Sequence, residues 1–177
     1  MRLSKVSLLV IVLFVILVGL MIFLPSYNVP SEEQPETTYV KKNIKFYIYG
    51  SIGCPACKAV KRLLEENFKE AEVIFYELSS NEEYVRKFYK IYEIIGEAAN
   101  KTLAPYTPLI GVLVDNKLTF IVVGFQPLSF WENIVSSGPK DYVVAFYPKN
   151  SGMEAIVISS SETVKILEEL FRGKGSV

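Results

Sequence analysis

The chain has 177 residues, half of them hydrophobic, and its 19 basic side chains are balanced by 19 acidic ones. This balance leaves no net positive charge to attract a nucleic acid, so no nucleic-acid partner is expected. The sequence contains two cysteines and no histidine, which are too few ligands for a zinc site of the usual Cys and His type. No metal or other cofactor is therefore expected.

The amino-terminal segment carries a long apolar run over residues 6–24, preceded by Arg2 and Lys5. As a helix this run is roughly 28 Å long, which matches the hydrocarbon core of a bilayer. It is longer than most signal-peptide cores and lacks a small-x-small cleavage site. These features predict one transmembrane helix, with a cleaved signal peptide as the alternative. The positive-inside rule places the amino terminus in the cytoplasm and the rest of the chain outside it.

The chain then divides into segments of different composition. We predict a membrane anchor with its cytoplasmic end at 1–24 and a flexible linker, rich in proline and acidic residues, at 25–41. A folded domain is expected at 42–137, with a carboxy-terminal extension at 138–177 packed on the same domain. The predicted location is the cell membrane, in a single-pass orientation with the folded domain extracytoplasmic.

Apolar periodicity and turn residues predict an α/β domain with the element order β-α-β-α-β-β-α. The predicted strands and helices are 43–49, a helix from Pro55, 72–78, about 81–100, 109–115, 118–123 and 127–135. Because helices separate the first three strands, we expect these to be parallel, and the fourth to be antiparallel to the third. The sequence of the extension predicts a strand at 142–147, a second strand at 154–159 and a helix at 161–172. We expect this segment to extend the sheet or to cover one face.

Both cysteines lie in the sequence Gly-Cys-Pro-Ala-Cys-Lys, residues 53–58, where the first strand gives way to a helix. Attachment of c-type haem requires a histidine after the second cysteine, and Lys58 occupies that position. A structural disulfide between Cys54 and Cys57 is possible, but it would close so short a loop that it would stabilise the fold little.

Dithiol exchange uses every feature of this motif. A cysteine at the helix start faces unpaired backbone amides and the positive end of the helix dipole, which favour the thiolate, so Cys54 is the predicted nucleophile. Cys57, one turn later and toward the core, would attack the mixed disulfide and release the partner. Pro55 stiffens the turn, and Ala56 completes it. Without a histidine, the proton of Cys57 must pass to water, to a tyrosine or to a glutamate. Glu77, near the end of the second strand, is a candidate, with a solvated strand-end carboxylate as the alternative interpretation.

The arrangement resembles the thioredoxin superfamily over about residues 43–136. The resemblance rests on Cys54-Pro55-Ala56-Cys57 after a strand, on Thr107-Pro108 opening a later strand, and on a hairpin that ends at Gly124 before a final helix. It implies a thioredoxin-like core with a mixed four-stranded sheet, preceded here by the transmembrane helix and followed by the extension. It also implies a cis Pro108 facing the sulfurs and a substrate-contacting backbone at Thr107; a trans proline that only begins a strand is the alternative.

The sequence departs from thioredoxin itself at the motif and at a position before it. Thioredoxin carries Trp-Cys-Gly-Pro-Cys and a buried aspartate six residues before the first cysteine, where this chain has Gly53, Cys-Pro-Ala-Cys and Ile48. The proline directly after the first cysteine is similar to glutaredoxins and periplasmic disulfide oxidases. These differences argue against a housekeeping thioredoxin role.

The expected function is that of a membrane-anchored thiol-disulfide oxidoreductase, in which a redox-active Cys54-Cys57 disulfide takes the place of a cofactor. Its expected partners are the thiols and disulfides of proteins outside the cytoplasmic membrane. The direction of exchange stays open, since a reductase fed by a membrane redox partner would have the same motif. The alternative is a non-catalytic, membrane-tethered binding module with a permanently closed disulfide.

Overall fold

The computed structural model describes residues 42–150 and 152–173. The strands are β1 Ile44–Gly50, β2 Glu72–Glu77, β3 Leu109–Val114, β4 Lys117–Val123, β5 Val143–Lys149 and β6 Gly152–Ile158. The helices are α1 Pro55–Asn67, α2 Glu82–Ala98, α3 Leu128–Ser136 and α4 Ser161–Phe171. Each lies within a few residues of the segment where apolar periodicity indicates it.

The strands form one mixed six-stranded sheet in the order β2-β1-β3-β4-β5-β6. The expectation of a thioredoxin-like core with a four-stranded sheet is therefore wrong. In such a sheet the outer side of β4 would leave its backbone groups without strand partners. Here β5 pairs with β4 in parallel, with Phe120, Ile121 and Val122 opposite residues 144–146, and β6 follows as an antiparallel neighbour of β5.

Strand β3 runs in the direction opposite to the one expected. Strand β2 is parallel to β1, as the intervening helix indicates, but β3 is antiparallel to β1. After α2 the chain continues through residues 99–108 without regular structure and brings Thr107 within 3.7 Å of the Cys54 sulfur. Strand β3 therefore begins at the end of the sheet where β1 finishes, so it must run antiparallel to β1.

Helices cover both faces of the sheet and enclose two apolar clusters. On one face, α1 and α3 contribute Val60, Leu64 and Trp131 to the cluster that contains Phe46 and Ile48 of β1. The other face is covered by α2 and α4, which pack against the alternate residues of the same strands. Because side chains alternate along a strand, β1 is buried on both sides, and its end is fixed in position.

The predicted transmembrane helix over residues 6–24 lies outside the described residues. Among residues 42–150 and 152–173, no helix is both long enough and apolar enough to cross a bilayer.

Candidate active site

A tight turn at the end of β1 carries the chain into α1. The Cys54 amide donates to the Ser51 carbonyl at 3.0 Å, and the Gly53 amide donates to the Ser51 hydroxyl at 3.1 Å. Cys54 then caps α1 with an extended backbone conformation, and Pro55 occupies the first helical turn. Proline is suited to this position because its fixed φ is helical and the amide it lacks would have no helical partner.

The Cys54 sulfur takes the place of a capping oxygen at the start of α1. It is partly exposed and accepts a hydrogen bond from the Cys57 amide, with 3.2 Å between Sγ and N. Burial by itself raises the pKa of the Cys54 thiol, but the Cys57 thiol, the Cys57 amide, the Thr107 hydroxyl and the Ala56 amide all donate toward the sulfur. Together they hold the pKa of Cys54 below its ordinary value, because hydrogen bonds to the charged form favour it.

The Cys57 sulfur lies in the opposite environment. Cys57 is fully buried on the inner side of α1, beside Val60 and Leu64. Burial is the main cause that raises the pKa of the Cys57 thiol to about 11, and its hydrogen bond to Cys54 acts in the same direction. Two thiols three residues apart thus differ: the partly exposed Cys54 ionises more readily than an ordinary cysteine, and the buried Cys57 keeps its proton.

Gly50, the last residue of β1, makes room for the buried thiol. A Cβ atom added to Gly50 would lie 2.8 Å from the Cys57 sulfur and 3.2 Å from the Cys57 Cβ. Any other residue would therefore displace Cys57 or the start of α1. The strand predicted at 43–49 ends just before Gly50 and assigns it no further role, although a glycine at a strand end is also typical of close backbone approach.

Thr107 and Pro108 lie opposite the cysteines at the start of β3. The peptide bond between them is cis, the geometry implied by the resemblance. The Thr107 hydroxyl lies 3.7 Å from the Cys54 sulfur, and Pro108 is buried, with its carbonyl accepting from the Gly124 amide at 2.8 Å. The structure thus brings Thr107, with Pro108 next to it, to the pair of Cys54 and Cys57, although at least fifty positions separate the two pairs in the sequence.

Glu77 supports the turn instead of facing the buried thiol. Its carboxylate accepts from the Ile52 amide at 2.6 Å, from the Ser79 amide at 3.2 Å and from the Ser79 hydroxyl. The bond from the Ser79 hydroxyl is the largest cause that lowers the pKa of Glu77 below its ordinary value. A carboxylate held in its charged form is a poor acceptor for the Cys57 proton, so Glu77 positions the 51–53 turn.

Three large apolar side chains are exposed next to residues of this site. Ile52 is 66% exposed and precedes Cys54 by two positions, and Tyr106, 51% exposed, directly precedes Thr107. Phe125, 46% exposed, follows Gly124, the residue hydrogen-bonded to Pro108. Exposed apolar side chains that flank a site are typical of surfaces that contact other proteins.

The described residues contain no group of three or more Cys, Asp or Glu side chains placed to hold a metal ion.

Comparison with known proteins adds no assignment to this geometry. No protein-family model matches the chain. No curated protein is significantly similar to it in sequence.

Proposed function

We propose that the protein is a thiol-disulfide oxidoreductase that exchanges disulfides with protein substrates. The observation that carries this proposal is the contrast between the two sulfurs: Cys54 is accessible and surrounded by donors, whereas Cys57 is buried with a raised pKa. A disulfide that only stabilised the fold would require no such contrast. The contrast gives each sulfur a separate chemical role.

In the reducing direction, the Cys54 thiolate attacks one sulfur of a substrate disulfide. A bond forms between Cys54 and that sulfur, the substrate S–S bond breaks, and the released substrate thiolate takes a proton. Cys57 then loses its proton and attacks the Cys54 sulfur, which forms the Cys54–Cys57 disulfide and releases the second substrate thiol. Two electrons and two protons pass to the substrate, and the reverse sequence oxidises a dithiol.

The mixed disulfide itself activates Cys57. Part of the rise in the Cys57 pKa comes from its hydrogen bond to Cys54 and from the negative charge on that sulfur. Both causes disappear when Cys54 is bonded to a substrate sulfur, whereas burial, which raises the pKa of Cys57, and the hydrogen bonds with Ser51 and Thr107, which lower it, remain. The Cys57 pKa therefore falls at the step where its thiolate is needed, without a histidine or a carboxylate acting as base.

The surface around Cys54 supports a polypeptide as the substrate class. Ile52, Tyr106 and Phe125 are exposed apolar side chains that lie in the chain next to residues of the site, and such groups suit the apolar side chains that an unfolded or extended segment presents. A lone small thiol would gain little from them. The location of this exchange outside the cytoplasmic membrane, and a membrane redox partner that would regenerate the site, stay predictions from the sequence.

The test is a redox titration of the full chain combined with trapping by cysteine variants. Cys57→Ser should accumulate a mixed disulfide with a disulfide-bonded protein substrate, because the nucleophile remains and the resolving thiol is gone. Cys54→Ser should form none. A reduction potential of the Cys54–Cys57 disulfide below about −300 mV, which is the range of structural disulfides, would instead favour the non-catalytic binding module.

A further inference from the structure

The loop of residues 99–107 carries Thr107 to the cysteines and is held at several points along its length. At its start the Lys101 amide donates to the Gly96 carbonyl of α2 at 3.0 Å, and the Lys101 ammonium pairs with Glu154 of β6. Further along, the loop has no strand partner, since β3 begins only at Leu109. The backbone groups just before Thr107 are bound instead by two tyrosine hydroxyls.

Tyr92 of α2 binds both backbone groups of Tyr106. Its hydroxyl donates to the Tyr106 carbonyl at 2.7 Å and accepts from the Tyr106 amide at 3.1 Å. The ring is only 4% exposed, and burial raises the pKa of Tyr92, so the hydroxyl stays protonated and able to donate. One side chain thus supplies the donor and the acceptor that a neighbouring strand would provide.

Tyr147 of β5 binds the same loop at a second point. Its hydroxyl donates to the Ala104 carbonyl at 2.9 Å, and its ring packs against the Tyr106 ring with 6.0 Å between centroids. Tyr147 belongs to the carboxy-terminal extension, so this contact connects the added strands directly to the loop that ends at Thr107.

We propose that Tyr92 and Tyr147 are positioning residues that together hold the Thr107 hydroxyl at the Cys54 sulfur. The proposal rests on the proposed function and deepens it, because it gives the extension a part in the site. The contact between Thr107 and Cys54 is 3.7 Å long and joins a loop to a helix cap. Its geometry depends on where the backbone of residue 106 is fixed. Neither tyrosine touches a sulfur among the described contacts, so each acts through Thr107.

The experiment measures the pKa of Cys54 from the pH dependence of alkylation in the reduced full chain. Thr107→Val removes the donor and should raise this pKa by about half a unit. Tyr92→Phe and Tyr147→Phe keep their rings and should each raise it, Tyr92→Phe by about as much as Thr107→Val. The matched control is Tyr84→Phe, on the same helix, whose hydroxyl makes no hydrogen bond among the described residues and whose removal should leave the pKa unchanged.

The double variant Tyr92→Phe/Thr107→Val separates positioning from a general loss of stability. If Tyr92 acts through Thr107, the two changes are not additive and the double variant has the pKa of Thr107→Val alone. Additive shifts, or unchanged Cys54 pKa values in both tyrosine variants, would overturn the proposal while leaving the exchange chemistry intact. An ordinary Cys54 pKa in the wild type would overturn both the positioning proposal and the proposed function.

Thermal unfolding identifies any variant that fails to fold. Tyr147→Phe, which removes an exposed hydrogen bond, keeps the test decisive if Tyr92→Phe does not fold.

Discussion

The α-carbon of Gly50 and the sulfur of Cys57 are so close that a single methyl group cannot fit between them. A Cβ on Gly50 would lie 2.8 Å from Sγ, well inside ordinary contact distance, and the Phe75 ring at 3.4 Å closes the remaining space. The buried thiol is therefore positioned by the end of β1 as much as by its own helix.

Gly50→Ala should destabilise the protein and disturb the resolving thiol. We expect a loss of about 1–3 kcal/mol in the free energy of unfolding, since overpacking forces neighbouring groups to move. Chemical denaturation measures this loss, and slower release of substrate from the mixed disulfide measures the displacement of Cys57. Gly53→Ala is the control, because a Cβ there meets nothing closer than 3.6 Å. Equal effects of the two substitutions would contradict this account.

The two thiols should differ strongly in reactivity toward an alkylating agent. In the reduced protein, Cys54 should react first, with a pKa below its ordinary value, while Cys57, with a pKa of about 11, stays unmodified at neutral pH. Mass spectrometry of partially labelled protein over a range of pH measures both. Cys54→Ser should abolish labelling at neutral pH and Cys57→Ser should not; comparable labelling of both variants would refute the assigned roles.

Glu77→Gln should weaken the 51–53 turn in a pH-dependent manner. The folded protein lowers the pKa of Glu77, chiefly through the Ser79 hydroxyl and also through the Ile52 amide. Its stabilising contribution is therefore present above the unfolded pKa of about 4.3 and is lost as the pH falls through the folded value.

Thermal unfolding from pH 7 to pH 3 tests this expectation. The difference in melting temperature between the wild type and Glu77→Gln should narrow as the pH falls. Glu66→Gln, at an exposed glutamate of α1 without a hydrogen bond among the described residues, should show no such trend. A difference in melting temperature that stayed constant with pH would mean that the charge of the Glu77 carboxylate does not contribute to stability.

Phe171→Ala should destabilise the whole domain, because α4 is part of its core. The Phe171 ring is fully buried against Gly111 of β3, where an added Cβ would lie 2.5 Å from it, and against Tyr49 of β1. Truncating a buried phenylalanine costs about 3–5 kcal/mol. Ile166→Ala, on the same helix but 42% exposed, should cost well under half as much. Two separate unfolding transitions in the variant would show that the extension folds independently.

Local features of this fold could be predicted from the sequence, and long-range ones could not. The strand that ends at Gly50, the helix that begins at Pro55 and the hairpin of β3 and β4 all follow from apolar periodicity and turn residues within one segment. The direction of β3 does not, because it depends on the path of residues 99–108. The pairing of β5 with β4 does not follow from the sequence either. Many strands offer compatible backbone groups, and the apolar pattern of one strand does not determine which strand lies beside it.

The residues of the site divide in the same way into those that the local sequence predicts and those that depend on long-range contacts. The motif itself indicates Cys54 and Cys57 because both lie at one helix start, and the resemblance indicated Thr107 and Pro108. Gly50, Tyr92 and Tyr147 act through contacts between segments distant in the sequence. A glycine at a strand end indicates close approach without indicating which atom approaches, and a tyrosine in an apolar segment has no local mark of such a role. Only an antiparallel β3 places its first residue beside the residues that follow β1.

The interior position of β1 also decides how the domain bears a mechanical load. Six residue pairs join β1 to β2 and six join it to β3, and the Lys42 ammonium just before the strand donates to the Val135 and Ser136 carbonyls. A force applied at Lys42 along the strand would load the bonds on both sides together in shear. An outer strand such as β6, pulled in the same way, would load the bonds to one neighbour only. The amino end of the domain is thus a mechanically resistant point of attachment, at the opposite end of β1 from the cysteines.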